Sequence, residues 1–333
     1  MRTLVWYRGK DLRTADHTPL RAAAPSASNK AGEVIPLFVL DEHFFRPAAA
    51  QRTPFRIQFL LESIASLAAK LEHLGSRLIL VDGRSAEVLP RLARLWKVDR
   101  VVAQSWVAPV GRERDRVVAG KLEVPLELFD TETLCPPGSL RTGGGDPFSV
   151  FTAFARRFAR AVRVDAALTA PRELPPIPAD VKTRGVALPT LASLGLTHNR
   201  RVLAGGERNA RTRLENWLGK HAKDYDELRD RMDLTGTSRL SADLKFGTLS
   251  VRTVWNAVER ALRELSPDAL RVYQNELLWR EFAHLENIGH DARAGTPRFQ
   301  EFTCCNDCYW RYSRPAASPR WRTRTSSKPA TCS

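Results

Sequence analysis

Five short apolar runs in the first 130 residues constrain the fold of this chain more than any other feature. They alternate with segments of helical periodicity, a succession that is typical of a parallel sheet covered by helices. We therefore predict a doubly wound, Rossmann-like α/β domain whose ligands lie at the carboxyl ends of the strands. The predicted strands are Thr3–Tyr7, Val34–Leu40, Arg77–Val81, Arg100–Ala103 and Pro125–Phe129.

The clearest helix signal follows the second of these runs. Thr53 is a candidate N-cap, Pro54 suits the first helical position, and apolar residues recur at three- and four-residue steps up to Leu74. The first strand is not followed by a G-x-G-x-x-G turn, so the sequence does not favour a nicotinamide cofactor.

The second half of the chain has a different periodicity, because from residue 205 onward the apolar pattern is helical throughout. We predict an α/β domain (1–130), a proline-rich connector (131–204), an all-α domain (205–297) and a divergent tail (298–333). Within the connector, a glycine-rich stretch lacks the Lys-Ser/Thr of a phosphate-binding loop, and it should be a turn before a helix at Phe148–Ala161.

A candidate anion site lies at Thr237-Ser238-Arg239-Leu240-Ser241, directly before a short helical pattern. Unpaired backbone N–H groups and the helix dipole favour a phosphate at such a position. Ser and Thr are also preferred N-caps, so an ordinary capped helix is the alternative interpretation.

A second motif places Tyr273, Glu276, Trp279, Arg280 and Glu281 along one predicted helix. Glu276, Trp279 and Arg280 are spaced i, i+3 and i+4, which puts them on one face. Taken without context, the two aromatics would be core residues, Arg280 and Glu281 a solvated pair, and Glu276 a surface carboxylate.

These motifs, with Tyr225, resemble the flavin-binding half of the photolyase and cryptochrome family. The start of the chain is similar to that family's opening strand and loop, through Leu4-Val5-Trp6-Tyr7-Arg8, Asp11-Leu12-Arg13 and Asp16. The resemblance extends from Met1 to about Leu285 and is nearest to class I cyclobutane pyrimidine dimer photolyases. It implies an α/β domain followed by an all-α FAD-binding domain. This chain would hold only part of the all-α domain.

The activity implied is that of a deoxyribodipyrimidine photolyase, a carbon–carbon lyase that uses light and FAD to split pyrimidine dimers in DNA. By the resemblance, Glu276 and Trp279 are catalytic, and Glu276, Trp279 and Arg280 contact DNA. The residues implied to bind the flavin are Tyr225, Thr237, Ser238, Arg239, Leu240, Ser241, Tyr273, Glu276, Arg280 and Glu281.

Members of the family often hold a second, light-harvesting pigment in the first domain. Relatives that bind a folate carry a Glu four residues before the aspartate of an Arg-Asp pair, and here Gly111 stands at that position before Arg114-Asp115. The resemblance therefore disfavours a folate and leaves open another pigment or none.

The tail departs from the family pattern. The last 36 residues hold four of the five cysteines among many Arg, Ser, Thr and Pro, a composition typical of disorder, and we hypothesise a frameshift or a misjoined coding sequence. Cys305 and Cys308 form a C-x-x-C without a second pair, so we predict no metal site. Because part of the helical domain has no counterpart, we expect the chain to bind FAD weakly or not at all.

Net charge and apolar runs bear on partners and location. A net charge of +15 favours binding to a polyanion such as damaged DNA. The tail, with seven basic and two acidic residues, contributes +5 of this net charge. No apolar run is long enough to span a bilayer and no signal peptide is evident, so we expect a cytoplasmic monomer without membrane contact. Two other functions stay open, a cryptochrome-like blue-light photoreceptor without repair activity and a remnant that binds no flavin.

Overall fold

The central sheet has five parallel strands, in a computed structural model that describes residues 1–24, 32–182 and 185–289. The strands are β1 (Arg2–Tyr7), β2 (Glu33–Leu40), β3 (Ile79–Asp82), β4 (Arg100–Gln104) and β5 (Leu126–Phe129). Their order is β3-β2-β1-β4-β5, so β1 is the central strand and the chain winds outward from it in both directions. The predicted doubly wound sheet is confirmed.

Helices connect these strands and make up the second half of the described chain. They are α1 (Thr18–Ala23), α2 (Glu42–Phe45), α3 (Pro47–Ala50), α4 (Pro54–His73), α5 (Ser85–Leu95), α6 (Pro109–Lys121), α7 (Phe151–Ala161), α8 (Glu207–Lys220), α9 (Tyr225–Leu228), α10 (Ser241–Phe246), α11 (Val251–Leu262) and α12 (Pro267–Gly289). α4 begins at Pro54 as predicted, but Thr53 makes no side-chain cap hydrogen bond. α7 begins three residues later than predicted, because Val150 is extended.

The side chains of β1 alternate between two buried layers, as a strand covered on both faces requires. Val5 and Tyr7 belong to a core cluster with residues of α1 and α4. Leu4 and Trp6 belong to a second cluster with residues of α5 and α6. All four side chains are at most 1% exposed.

A third core cluster joins α7, α8, α11 and α12. Its largest members include Phe154, Trp217, Trp255, Tyr273 and Phe282. The predicted all-α character of this half is confirmed. None of the helices in the described ranges is long and apolar enough to cross a membrane.

Polar contacts connect the loop after β1 to the helical half. Asp16, whose φ is 52°, accepts a hydrogen bond of 3.0 Å from Nε of Arg252. Glu207, at the start of α8, accepts hydrogen bonds from the backbone N–H groups of Thr14 and Ala15 at 2.8 and 3.2 Å. The domain limits stay predictions, and the predictions for the tail concern residues outside the described part.

Candidate functional site

The predicted anion site is a loop that leads into α10. Its N-cap is Leu240, which has no polar side chain, so the alternative of a Ser or Thr cap is wrong. Arg239 has a φ of 54°, a left-handed conformation that costs a non-glycine residue free energy and is common at ligand sites. Thr237, Arg239 and Ser241 are exposed, whereas Leu240 is 2% exposed. The loop thus presents two hydroxyls and a guanidinium to solvent at a helix start.

A buried aromatic group supports this loop from behind. The hydroxyl of Tyr273 donates a 2.9 Å hydrogen bond to Oγ of Ser238, and burial raises the pKa of Tyr273. The Tyr273 ring lies 4.5 Å from the ring of Trp217 and 5.0 Å from that of Tyr225. Trp217 also donates a 2.9 Å hydrogen bond to the carbonyl of Gly236. Trp217 lies in the region of helical periodicity, which gives no sign of its contact with the loop.

Asp243 connects α10, the helix that follows this loop, to α8. Its side chain is fully buried and accepts hydrogen bonds from Nε and Nη2 of Arg213 at 3.0 and 3.2 Å. Thr248 donates a third hydrogen bond at 2.8 Å. Burial raises the pKa of Asp243 although Arg213 favours the charged form. No pattern in the sequence indicated this pair, because Asp243 and Arg213 lie on helices 30 residues apart.

The predicted face of α12 divides into exposed and buried positions. Glu276 is exposed and forms an ion pair of 2.7 Å with Arg229. Trp279 is 48% exposed, which excludes the core interpretation for this ring, whereas Tyr273 is a buried core residue. Arg280 is directed inward, with a side chain 21% exposed, and forms a 3.0 Å ion pair with Glu281.

Glu281 is not the solvated carboxylate that the alternative interpretation predicts, because it is 1% exposed. It accepts a 2.6 Å hydrogen bond from the backbone N–H of Leu134. Burial raises the pKa of Glu281 to about 7, against the attraction of Arg280. Burial of the neighbouring Glu132 would by itself raise the pKa of that carboxyl. The charges of Lys10 and of other basic groups nearby have the larger effect and lower the pKa of Glu132 to about 2.

Lys10, Arg280 and His284 lie close to Glu132 at this end of α12. Nε2 of His284 lies 4.0 Å from Oε1 of Glu132. Burial, and then the charge of Arg280, lower the pKa of His284 to about 3, so the imidazole is neutral. Burial and the charge of Lys10 lower the pKa of the Lys245 ammonium to about 8. The buried side of α12 is therefore cationic.

Comparison with known proteins identifies the family. The family model described as DNA photolyase matches residues 3–178, more than half of the chain. The chain belongs to the DNA photolyase family. It is 31% identical over 293 residues to a deoxyribodipyrimidine photo-lyase of Synechococcus sp. PCC 6301, an alignment that covers 84% of this chain and 59% of that photolyase.

Two further similar proteins are an uncharacterized protein of similar length and a cryptochrome. An uncharacterized 31.6 kDa protein of Synechococcus sp. PCC 6716 is 32% identical over 290 residues, which cover 84% of this chain and 98% of that protein. The crystal structure of a cryptochrome from Synechocystis sp. PCC 6803 superposes with a TM-score of 0.75 at 27% identity, covering 86% of this chain and 61% of the cryptochrome. The chain therefore spans about 60% of the length of the photolyase and the cryptochrome, and nearly all of the shorter relative.

Photolyases are flavoproteins, and the side chains of this loop have the chemistry that a phosphate group requires. The exposed hydroxyls of Thr237 and Ser241 and the guanidinium of Arg239 are the donors that a diphosphate needs. The part of the chain that the structure describes holds no group of three or more His, Cys, Asp or Glu side chains that could bind a metal.

The carboxyl ends of β1 and β4 form the switch point of the sheet, where doubly wound folds bind their ligands. Arg8 lies there, with its guanidinium 4.6 Å from the ring of Trp6 and a 2.6 Å ion pair to Asp115. Nε and Nη2 of Arg8 and Nε1 of Trp106 are buried without an acceptor among the described residues. A Cβ at Gly111 would lie 2.5 Å from Cβ of Trp106, so the glutamate of folate-binding relatives would clash here.

Proposed function

We propose that this site serves light-driven repair of DNA, the FAD-dependent splitting of cyclobutane pyrimidine dimers. The observation that carries the proposal is the 2.9 Å hydrogen bond from Tyr273 to Ser238. It connects the helix that presents Glu276 and Trp279 to the loop that suits a diphosphate. One helix thus contributes to both the cofactor side and the DNA side of the site.

On the cofactor side, Thr237, Ser238 and Ser241 would hold the phosphates, and Arg239 would neutralise their charge. The side chain of Leu240, also in this loop, is buried and would hold the loop in position. Tyr225 and Tyr273 would support the same loop through their ring contact.

Arg280 and Glu281 also belong to the cofactor side in this proposal. The resemblance implies both a flavin and a DNA role for Arg280, and its low exposure supports the flavin contact. Glu281 would hold the Arg280 guanidinium in place through their 3.0 Å ion pair.

On the DNA side, Trp279 would stack on a dimer that has been flipped out of the duplex, because chemistry on a stacked base is sterically blocked. Glu276, one turn earlier on α12, would hydrogen-bond the polar edge of the dimer. Its carboxylate is paired with Arg229 at 2.7 Å, and Arg229 would either release it or share it with the lesion. Reduced FAD supplies the electron for light-driven splitting when it is bound, while the residues of this chain bind and orient the lesion.

A cryptochrome-type photoreceptor is the second candidate, and the similarity to the Synechocystis cryptochrome favours it. Both functions use the same flavin loop, so only repair separates them. A remnant that binds no flavin is the third candidate.

Two preparations test the proposal, the chain itself and a chimera. In the chimera, residues 1–285 are joined to the part of the Synechococcus photolyase beyond the aligned region, which the chain does not span. We expect weak FAD retention by the chain, stoichiometric retention by the chimera after gel filtration, and light-dependent loss of dimers from an oligonucleotide. A yellow chimera without repair would favour the photoreceptor, and a colourless chimera would favour the remnant.

A matched pair of substitutions in the chimera tests the phosphate loop. Ser241→Ala should lower FAD retention, whereas Thr235→Val, at an exposed position just before the loop, should not.

A further inference from the structure

Trp279 has a partner on a different helix that the sequence did not reveal. The ring of Phe151, the first residue of α7, lies 3.8 Å from the ring of Trp279, and the two planes differ by 7°. The edge of Phe282 closes the group, with its ring 5.9 Å from that of Trp279 and 6.0 Å from that of Phe151. Trp279 nevertheless remains 48% exposed. One face of the indole is therefore covered by Phe151 and part of it by Phe282, while about half of the residue stays exposed.

Such backing fixes the orientation of the indole. A half-exposed tryptophan on a helix can rotate about two side-chain torsions, and immobilising it on binding costs free energy. The parallel ring of Phe151 and the perpendicular ring of Phe282 restrict the rotation of the Trp279 ring. A planar ligand that stacks on it then meets a surface that is already ordered.

We infer that Phe151 is a positioning residue, which turns Trp279 into a rigid two-ring platform for one unpaired nucleobase, and that this platform binds such a base without flavin. The inference rests on the DNA-side role of Trp279 in the proposed function. It goes beyond that function because it assigns base binding to the platform alone, in the absence of flavin.

The surroundings favour a nucleobase over an apolar protein surface. Glu276 is exposed three residues before Trp279, and its ion pair with Arg229 places hydrogen-bonding groups beside the exposed ring. An aromatic face beside polar groups matches a base, which has an aromatic face and a polar edge. The net charge of +15 favours a ligand that carries phosphates.

The test must separate stacking from charge, and two single-stranded oligonucleotides do this. One is oligo(dT), and the other has the same length and phosphates but abasic sites in place of the bases. Both are titrated by fluorescence anisotropy into the full 333-residue chain at one salt concentration, after the absence of flavin has been verified by absorbance. The ratio of the two affinities measures the contribution of the bases alone, because the electrostatic contribution is the same for both.

We expect the unaltered chain to prefer oligo(dT) by about fivefold to a hundredfold, the range that base–aromatic stacking gives. Trp279→Ala should bring this ratio close to one. Phe151→Leu should reduce it several-fold and increase acrylamide quenching of the tryptophan fluorescence component that Trp279→Ala removes, while Phe151→Tyr should keep both values. Phe148→Leu is the control, because Phe148 lies outside the platform. Its ring centroid is 6.1 Å from that of Phe154. Urea denaturation of each variant verifies that it folds.

Two results would overturn the inference. The first is equal affinity of the unaltered chain for the two oligonucleotides, which would leave only phosphate binding. The second is a folded Phe151→Leu variant with an unchanged ratio and unchanged quenching, which would show that Trp279 needs no backing. Neither result depends on dimer splitting, so a base-binding chain whose chimera does not repair would contradict the proposed function and leave this inference standing.

Discussion

A Cβ atom at position 247 would lie 1.8 Å from the carbonyl oxygen of Lys10. Gly247 ends α10 with a φ of 65°, so both its conformation and this close approach require glycine. The contact brings the loop after β1 against the end of the helix that follows the phosphate loop. A backbone–backbone hydrogen bond of 3.3 Å from Leu12 to Phe246 lies beside it.

Gly247→Ala should therefore destabilise the protein by about 2 kcal/mol or more, because the backbone conformation and the contact with Lys10 both oppose a side chain. Gly219→Ala is the matched control. Gly219 lies in α8 with no atom within 4 Å of its ideal Cβ position, and alanine should stabilise the helix by about 0.5–1 kcal/mol. Urea denaturation measures both changes, and equal effects of the two substitutions would contradict the account of this junction.

Asp243→Ala should cost about 3 kcal/mol, because it leaves the largely buried Arg213 without its carboxylate. Asp268→Ala removes a similar pair, Asp268–Arg271, whose side chains are 75% and 73% exposed. This control should change the free energy of unfolding by less than about 0.5 kcal/mol. If Asp243→Ala were as mild as the control, the buried pair would not stabilise the packing of α10 against α8.

Glu281 should give the protein a distinctive pH dependence. Its pKa is about 7 in the folded protein and 4.5 in the unfolded chain. At a pH between these two values, the folded state keeps the proton of Glu281, whereas the unfolded state has lost it. Stability from this group therefore falls as the pH rises from 4.5 to 7, by up to about 1.4 kcal/mol per pH unit. Glu281→Gln should remove that slope.

The comparison must be a difference between the two proteins, since other groups titrate in the same range. The lowered pKa of His284 has the opposite effect on the free energy of unfolding. As the pH falls in this range, the unfolded chain binds a proton at His284 that the folded protein does not bind. Subtracting the urea-derived stability of Glu281→Gln from that of the unaltered protein at each pH isolates the carboxyl. A flat difference between pH 4.5 and 7 would contradict a buried, proton-binding Glu281.

The sheet could be predicted because the signal is local. Each strand is a short apolar run followed by helical periodicity, and the strand bounds agree with the structure to within two residues. Local patterns also indicated Ser238 and Trp279 as candidate site residues. They could not reveal Phe151 behind Trp279 or Arg213 beside Asp243, because these pairs join helices that are distant in sequence. The inward direction of Arg280 likewise depends on packing against Glu281 and not on helical spacing alone.

Arg280 offers a test of which side of the site it serves. If it contacts the flavin, Arg280→Ala should lower FAD retention by the chimera and leave the salt dependence of DNA binding unchanged. If it contacts a DNA phosphate, affinity for damaged and undamaged DNA should fall alike and the salt dependence should become shallower. Its low exposure leads us to expect the first result, which gel filtration with flavin absorbance and DNA titrations at several salt concentrations would measure.

The most direct test of the central claim is the effect of Trp279→Ala on damage recognition by the chimera. Stacking on a flipped dimer is worth about 1–3 kcal/mol per base, and undamaged duplex presents no flipped base. The substitution should therefore weaken binding of dimer-containing DNA at least about fivefold at fixed salt and leave undamaged duplex binding unchanged. An unchanged preference for damaged over undamaged DNA would contradict the assignment of α12 as the lesion-binding helix.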